Sequence, residues 1–327
     1  MNFIRTDKDI NLIHTGNGII PLNHKPWVVS VEYFSSFFNL NHDLALLKKS
    51  RDRLQRHLTS KYCRKILCFT ETCRQSIING YSPQKSDYYN KLDVIYPTIK
   101  PNLRKQQNSD EIIKILFIGA SFFEKGGREL VESLDIVRKN TSKQVILTIF
   151  TQKPKFYQDI FYNFINKYIK EKNNIFKTEW IPREKLFTDY YLQADIFAFP
   201  TFGDQCPYSI FEAMSFGLPI ISQNVHTMPE LVEDKFNGLL VQNPDSPVLS
   251  NSIMKNQTEI EKFVYRIYHN RYDGLIKELA EKLLILINEK PIRMKLGNNG
   301  YSLISEGKYS IKTRNKKLSR IYIEAIE

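Results

Sequence analysis

Residues 199–241 read FPTFGDQCPYSIFEAMSFGLPIISQNVHTMPELVEDKFNGLLV, and this stretch decides the fold. Ile196 to Phe199, closed by Pro200, is a short apolar run of the kind that forms a buried strand. The polar segment 201–206 follows as a loop. Pro207 suits the first turn of a helix, where its missing N–H has no partner to lose. Ile210, Ala213 and Met214 then recur at helical spacing, and Gly217 and Pro219 end the helix. Ile220 to Ser222 supplies the next strand. A helix of about ten residues therefore opens just past the end of a strand, where open α/β sheets bind ligands.

The first amides of such a helix lack backbone partners, and its dipole favours an anion. Asp204 in the loop and Glu212 on the helix bracket that spot. Their separation would span ~12 Å if it were wholly helical, too wide for the paired carboxylates of a retaining glycosidase. It suits carboxylates gripping opposite ends of one long ligand with a negative middle, such as a nucleoside diphosphate sugar.

Asp204-x7-Glu212, followed by Ala213-Met214-Ser215-Phe216-Gly217-Leu218-Pro219, resembles the E-x7-E motif of retaining glycosyltransferases of GT-B architecture, family four. Asp204 stands where that family usually has Glu. Pro229-Glu230-Leu231-Val232 and Asn237-Gly238-Leu239-Leu240-Val241 resemble a further block of the same family. The resemblance covers residues 60–327, and the earlier part loosely. It implies an α/β fold of two Rossmann-like, doubly wound parallel-sheet domains facing a cleft. It also implies retaining transfer of a sugar from a nucleotide-sugar donor to a glycan or lipid-linked acceptor, with no metal and no other cofactor.

The chain has 327 residues, room for one or two domains. A hydrophobic content of 42% is enough for ordinary cores and argues against a disordered chain. No run reaches the length of a membrane span, and the expectation is a cytoplasmic protein. Cys63, Cys68, Cys73 and Cys206 have no zinc-ligand spacing and read as reduced thiols. The net charge of +12 is compatible with nucleic acid, anionic lipid or phosphorylated substrates and chooses among none of them.

Toward the N-terminus, 11–14 and 27–31 read as strands, followed by 65–70 and 92–96. Glu32 directly follows the second strand, at a ligand-facing strand end, where it or His14 could touch a substrate hydroxyl; the alternative is a cleft-edge carboxylate with no chemistry. Thr70 can cap the helix that follows it. The most basic stretch, 46–65 (LLKKSRDRLQRHLTSKYCRK), puts Leu47, Leu54, Leu58 and Tyr62 on one helical face with cations around them. The functional reading of that face is peripheral contact with an anionic membrane at its inner surface, or with an acceptor phosphate. The alternative is a solvated helix packed on the sheet. No recognition module surrounds it, so nucleic acid is not expected as a partner. The polar segment 100–110 reads as a linker.

Beyond the linker, FIGASFFEKGG (117–127) resembles the family's donor loop, in which an Arg and a Lys clasp the diphosphate. Lys125 matches the Lys, whereas Ala120 stands at the Arg position, leaving Arg128 or another cation to substitute. The resemblance implies donor binding by Gly119, Lys125, Gly126, Gly127 and the segment Pro207, Tyr208, Ser209, Ile210, Phe211 and Glu212. Catalysis would rest on Asp204 at the donor sugar, with Lys125 and Glu32. Strands at 145–150, 175–180 and 195–199 alternate with helices at 157–170 and 183–193, which predicts a parallel sheet. Residues 246–273 interleave aromatic and basic side chains and read as a surface insertion packed on its own domain.

The resulting expectation is an N-terminal domain over 1–105, a nucleotide-sugar-binding domain over 106–308, and a final helix, 309–327, crossing back to the first. The N-terminal domain counts four strands and, against the family, reads as shortened upstream of residue 11. The rival readings are a nucleotide-sugar epimerase on the same fold and a non-catalytic binding subunit.

Overall fold

The computed structural model describes residues 9–80, 88–102, 110–168, 173–179, 181–243 and 257–327. The end of the strand read at 175–180 and most of the linker read at 100–110 lie outside these residues.

In chain order the elements are β1 (Ile13–Thr15), β2 (Trp27–Val31), α1 (His42–Leu46), α2 (Lys48–Leu58), β3 (Cys63–Cys68), α3 (Glu71–Gly80) and β4 (Leu92–Val94). There follow β5 (Ile112–Ser121), α4 (Gly127–Val137), β6 (Gln144–Gln152), α5 (Gln158–Tyr168), β7 (Asn174–Lys177) and α6 (Arg183–Lys185), which runs on as a π turn over Leu186–Tyr191. Then come β8 (Ile196–Phe199), α7 (Tyr208–Ser215), β9 (Ile220–Gln223), α8 (Met228–Leu231) and β10 (Gly238–Val241). Helices α9 (Gln257–His269), α10 (Asp273–Asn288), α11 (Lys290–Ser305) and α12 (Ile311–Ile326) end the chain.

Two units share these elements. One comprises Met1–Thr98, Ser250–Glu261 and Ile311–Glu327, the other Ile99–Leu249 and Lys262–Ser310. The first holds a parallel sheet in the order β1-β2-β3-β4. Side chains alternate across its pleat. Val29, Val31, Ile66 and Cys68 pack with Leu54, Leu58, Cys73 and Ile77 from α2 and α3. Val28 and Leu67 point the other way and pack with Leu318, Ile321 and Ala325 of α12. The terminal helix thus belongs to the first unit. As the sequence predicts, the Thr70 hydroxyl caps α3, accepting from the Cys73 amide at 3.0 Å.

The second unit holds a six-stranded parallel sheet in the order β10-β9-β8-β5-β6-β7. Its first strand, β5, lies in the middle, and the order reverses between β5 and β8. Open α/β sheets bind ligands at the carboxyl ends of the strands flanking such a switch point. The apolar runs of the strands are buried against α4, α5, α10 and α11, as the continuous hydrophobicity of parallel strands requires.

The boundaries differ from expectation in places with physical reasons. The basic stretch 46–65 is not one helix. It contains α2, ending at Leu58, and then the start of β3, so Tyr62 lies beyond the helix and Leu47 is its exposed N-cap. The expected helix over 183–193 is a three-residue α turn followed by the π turn. In the 246–273 segment, the described residues Phe263, Tyr268 and Tyr272 are buried in the second unit's core.

Candidate functional site

The loops that follow β5 and β8 meet at the switch point. Gly126 makes the meeting possible. It has φ +75°, and a Cβ built there would lie 1.9 Å from the Pro200 carbonyl oxygen. Only glycine tolerates both the positive φ and this approach. The loops are also joined by hydrogen bonds: the Phe202 amide and the Thr201 hydroxyl donate to the Glu124 carbonyl at 3.0 and 3.4 Å. Ser222 and Gln223 of β9 donate from their side chains to the carbonyls of Phe199 and Pro200, both at 2.6 Å.

Lys125 and Asp204 come together in this corner. The ammonium lies 2.7 Å from Asp204 Oδ2 and donates to the Gly203 carbonyl at 3.0 Å. It also stands 5.9 Å from the centre of the Phe199 ring. Both side chains are about one-fifth exposed, at 20% and 18%, so a ligand can reach them while bulk water screens them incompletely. Gly119 serves this arrangement from within β5 rather than from a loop. It sits at a register shift between Ile118 and Ser121, and its missing Cβ leaves room for the Lys125 stem. Gly127 is the first residue of α4 and backs onto the Phe122 ring.

Glu212 lies partly buried on α7 and is held at both oxygens. Tyr191 donates to Oε2 at 2.8 Å and Arg183 to Oε1 at 2.8 Å. Burial, then the neighbouring Glu212 carboxylate, push the Tyr191 phenol well above its ordinary range, so it remains a neutral donor. Tyr191 is itself stacked on Phe216. Neither partner of Glu212 was read from the sequence. Arg183 opens α6 and Tyr191 is the last residue of the π turn, and π turns recur at functional sites.

The remaining expected residues are distributed unevenly. Helix α7 spans eight residues behind Pro207, which is its N-cap rather than part of its first turn. Tyr208 is exposed, whereas the Ile210 and Phe211 side chains are buried in the core. The Ile210 amide already donates to the Pro207 carbonyl at 3.1 Å and is engaged within the helix start. Because Asp204 lies in the loop, the two carboxylates are not on one helix as the 12 Å span assumed. Glu32 directly follows β2 in the first unit, and His14 bonds there to Tyr322 and Ser30 at 2.5 and 2.7 Å.

Arg128 does not replace the expected arginine at the exposed Ala120. Its guanidinium is buried, pairs with Glu129 Oε1, and donates to the carbonyls of Ile267, Tyr268 and Asn270. It caps the end of α9 and is unavailable to a ligand.

His226 is a residue that sequence reasoning missed. Its Nδ1 bonds to the Asp204 carbonyl and lies 3.0 Å from the Thr227 hydroxyl. Burial lowers its pKa, and the Asp204 backbone bond opposes that shift without overcoming it. The available signal was its place just beyond β9, at the carboxyl edge of the sheet.

Residues 113–256 match the family model of glycosyl transferases group 1. An uncharacterised 41.2 kDa protein of the cps region of Klebsiella pneumoniae is 25% identical over 167 residues, which is 48% of this chain and 43% of that protein. This chain therefore spans less than half of that relative's length. The Anabaena protein HepE, solved with UDP and glucose, superposes with TM-score 0.66 at 15% identity, over 92% of this chain and 72% of that one. Sucrose-phosphate synthase of Thermosynechococcus elongatus gives 0.63 at 14%, over 96% and 73%. The TarM protein of S. aureus, solved with UDP, α-GlcNAc-glycerol and fondaparinux, gives 0.62 at 16%, over 92% and 51%. The fold is GT-B.

Proposed function

We propose that this protein is a glycosyltransferase that takes a sugar from a nucleoside diphosphate donor. One observation carries the reading: the switch-point loops bring Lys125 onto Asp204, and α7, opening from the same loop, carries Glu212. The family match over 113–256 and the UDP bound in similar structures support it.

Lys125 would neutralise the diphosphate as it departs, the step at which negative charge accumulates. Asp204 orients that ammonium in the free protein and would face the donor sugar. Glu212, steadied by Tyr191 and Arg183, would accept from the ribose hydroxyls. Arg183, 63% exposed and paired with Glu212, would supply the second cation in place of the missing arginine, since Arg128 is buried. The transfer would retain anomeric configuration in the manner of family four, without a metal, and Glu32 would serve the acceptor. The acceptor would be a glycan, free or lipid-linked, met in the cytoplasm, with α2 resting on an anionic membrane.

Titration calorimetry against a panel of nucleoside diphosphates and their sugars tests the donor. An acceptor screen with product analysis by NMR then reads the anomeric outcome. A chelator that leaves the rate unchanged would agree with metal independence. Donor binding without transfer to any acceptor would favour a binding subunit, and an isomerised free nucleotide sugar would favour an epimerase.

A further inference from the structure

At the opposite edge of the first unit's sheet from its carboxyl strand ends lies a cavity of about 430 Å³. Its walls come from the segment before β2, from the last turns of α2 and from the turn into β3. Three nitrogen-bearing side chains of α2, the cations Arg53 and Arg56 and the imidazole of His57, line it together. Their spacing of three and four residues puts them on one helix face. The buried Trp27 ring, at the first residue of β2, also lines the cavity. Beside it His24 stacks on Tyr62, with ring centroids 5.3 Å apart and planes within 8°.

Two features make this more than a basic surface. The lining contains no carboxylate, and among the described residues neither Arg53 nor Arg56 forms an ion pair. Like charges gathered without a counter-charge repel one another, and burial followed by Arg53 and Arg56 lowers the pKa of His57. An anion in the cavity would relieve that repulsion. The aromatic side chains, in turn, offer an apolar shelf of the sort that carries a sugar or other ring.

We propose that this cavity binds a phosphorylated, sugar-sized ring, with the phosphate on Arg53, Arg56 and His57 and the ring against His24, Tyr62 and Trp27. The size suits one such ring, since small-molecule sites begin at about 300 Å³. Guanidinium groups bind phosphate in a fork that a neutral sugar cannot use. The site lies away from the carboxyl edge where the sheet would place substrates, so it does not depend on the glycosyltransferase reading. The phosphosugar has two possible sources, a free metabolite-sized molecule or the headgroup of a phosphoinositide-type lipid.

The test uses the full chain carrying Trp180→Phe, so that Trp27 is the sole tryptophan and reports on the cavity by fluorescence. The probes are glucose 1-phosphate, glucose, and vesicles of phosphatidylcholine with or without phosphatidylinositol. The expected result is a saturable change with the phosphosugar at least about tenfold tighter than with glucose. Arg53→Gln combined with Arg56→Gln should weaken it by a similar factor without lowering the melting temperature, because both side chains are exposed and the change removes like charges. His24→Ala tests the shelf independently and should lower affinity for glucose 1-phosphate. A response to phosphatidylinositol vesicles alone would assign the lipid source, and a response to the free phosphosugar the soluble one. Equal responses to glucose and glucose 1-phosphate, unaltered binding in the double variant, or no response to either phosphate-bearing probe would overturn the proposal.

Discussion

Lys125 and Asp204 are 79 positions apart in the chain and 2.7 Å apart in the fold. Each was legible in the sequence as a candidate, Lys125 from its match to the family's donor loop and Asp204 from its spacing to Glu212. Their direct pairing was not, because it depends on two loops meeting at a switch point that only the strand order creates. Lys125→Ala should lower turnover while leaving the fold intact, read by initial rates and by melting temperature. Glu212→Gln should weaken nucleotide binding by about ten- to hundredfold, the worth of a charge-assisted hydrogen bond, and Asp204→Asn should instead slow transfer. Calorimetry with the free nucleoside diphosphate, set beside steady-state rates, separates the two, and unchanged values in both variants would end the assignment. Gly126 makes a different demand. Gly126→Ala places a Cβ against the Pro200 carbonyl at a positive φ, and the strain alone should cost about 1–3 kcal/mol in chemical denaturation. Arg128 illustrates the limit of reading by residue type: an arginine beside a phosphate loop looks like a ligand until its partners at 267–270 are visible.

At the scale of elements, periodicity and punctuation carried far. Strand β2 spans 27–31 as read, Thr70 caps α3, and Gly217, at φ +71°, ends α7. The failures concern elements defined by irregular hydrogen bonding or by distant partners. The π turn over 186–191 shares the apolar spacing of an α-helix, so pattern alone cannot separate them. Asp110, in a polar segment read as linker, is instead a structural residue of the second unit. It pairs with Lys143 and with the buried guanidinium of Arg293, which in turn donates to the carbonyls of Leu286 and Ile287 at the end of α10. Burial opposes ionisation of Asp110, but the two cations together hold its carboxyl below the ordinary value. Removing it strands a buried positive charge. Asp110→Asn should therefore destabilise the protein by about 3–5 kcal/mol in urea unfolding. A change within about 0.5 kcal/mol would place it among ordinary surface substitutions.

For the whole molecule, the response to acid follows from groups in both units. His14 and His57 lie in the first and His226 in the second, and burial lowers the pKa of each below the ordinary 6.5. Arg314 adds to the effect at His14, and Arg53 and Arg56 add to it at His57. Between the folded values and 6.5 the unfolded chain binds more protons than the folded one. Stability therefore rises with pH across that window and is lost as pH falls through it. Asp110 acts in the same direction but lower, because its stabilisation is complete above its ordinary value of 3.8 and disappears as pH falls through its depressed folded value. The two contributions can be told apart by window. Unfolding free energy measured against pH should decline just below 6.5, and His226→Gln should flatten that decline without altering the loss below 3.8. Asp110→Asn should do the reverse. A wild-type curve that stays level from 6.5 down to about 5 would contradict the lowered pKa of these three imidazoles, since their protonation on unfolding must appear as a slope.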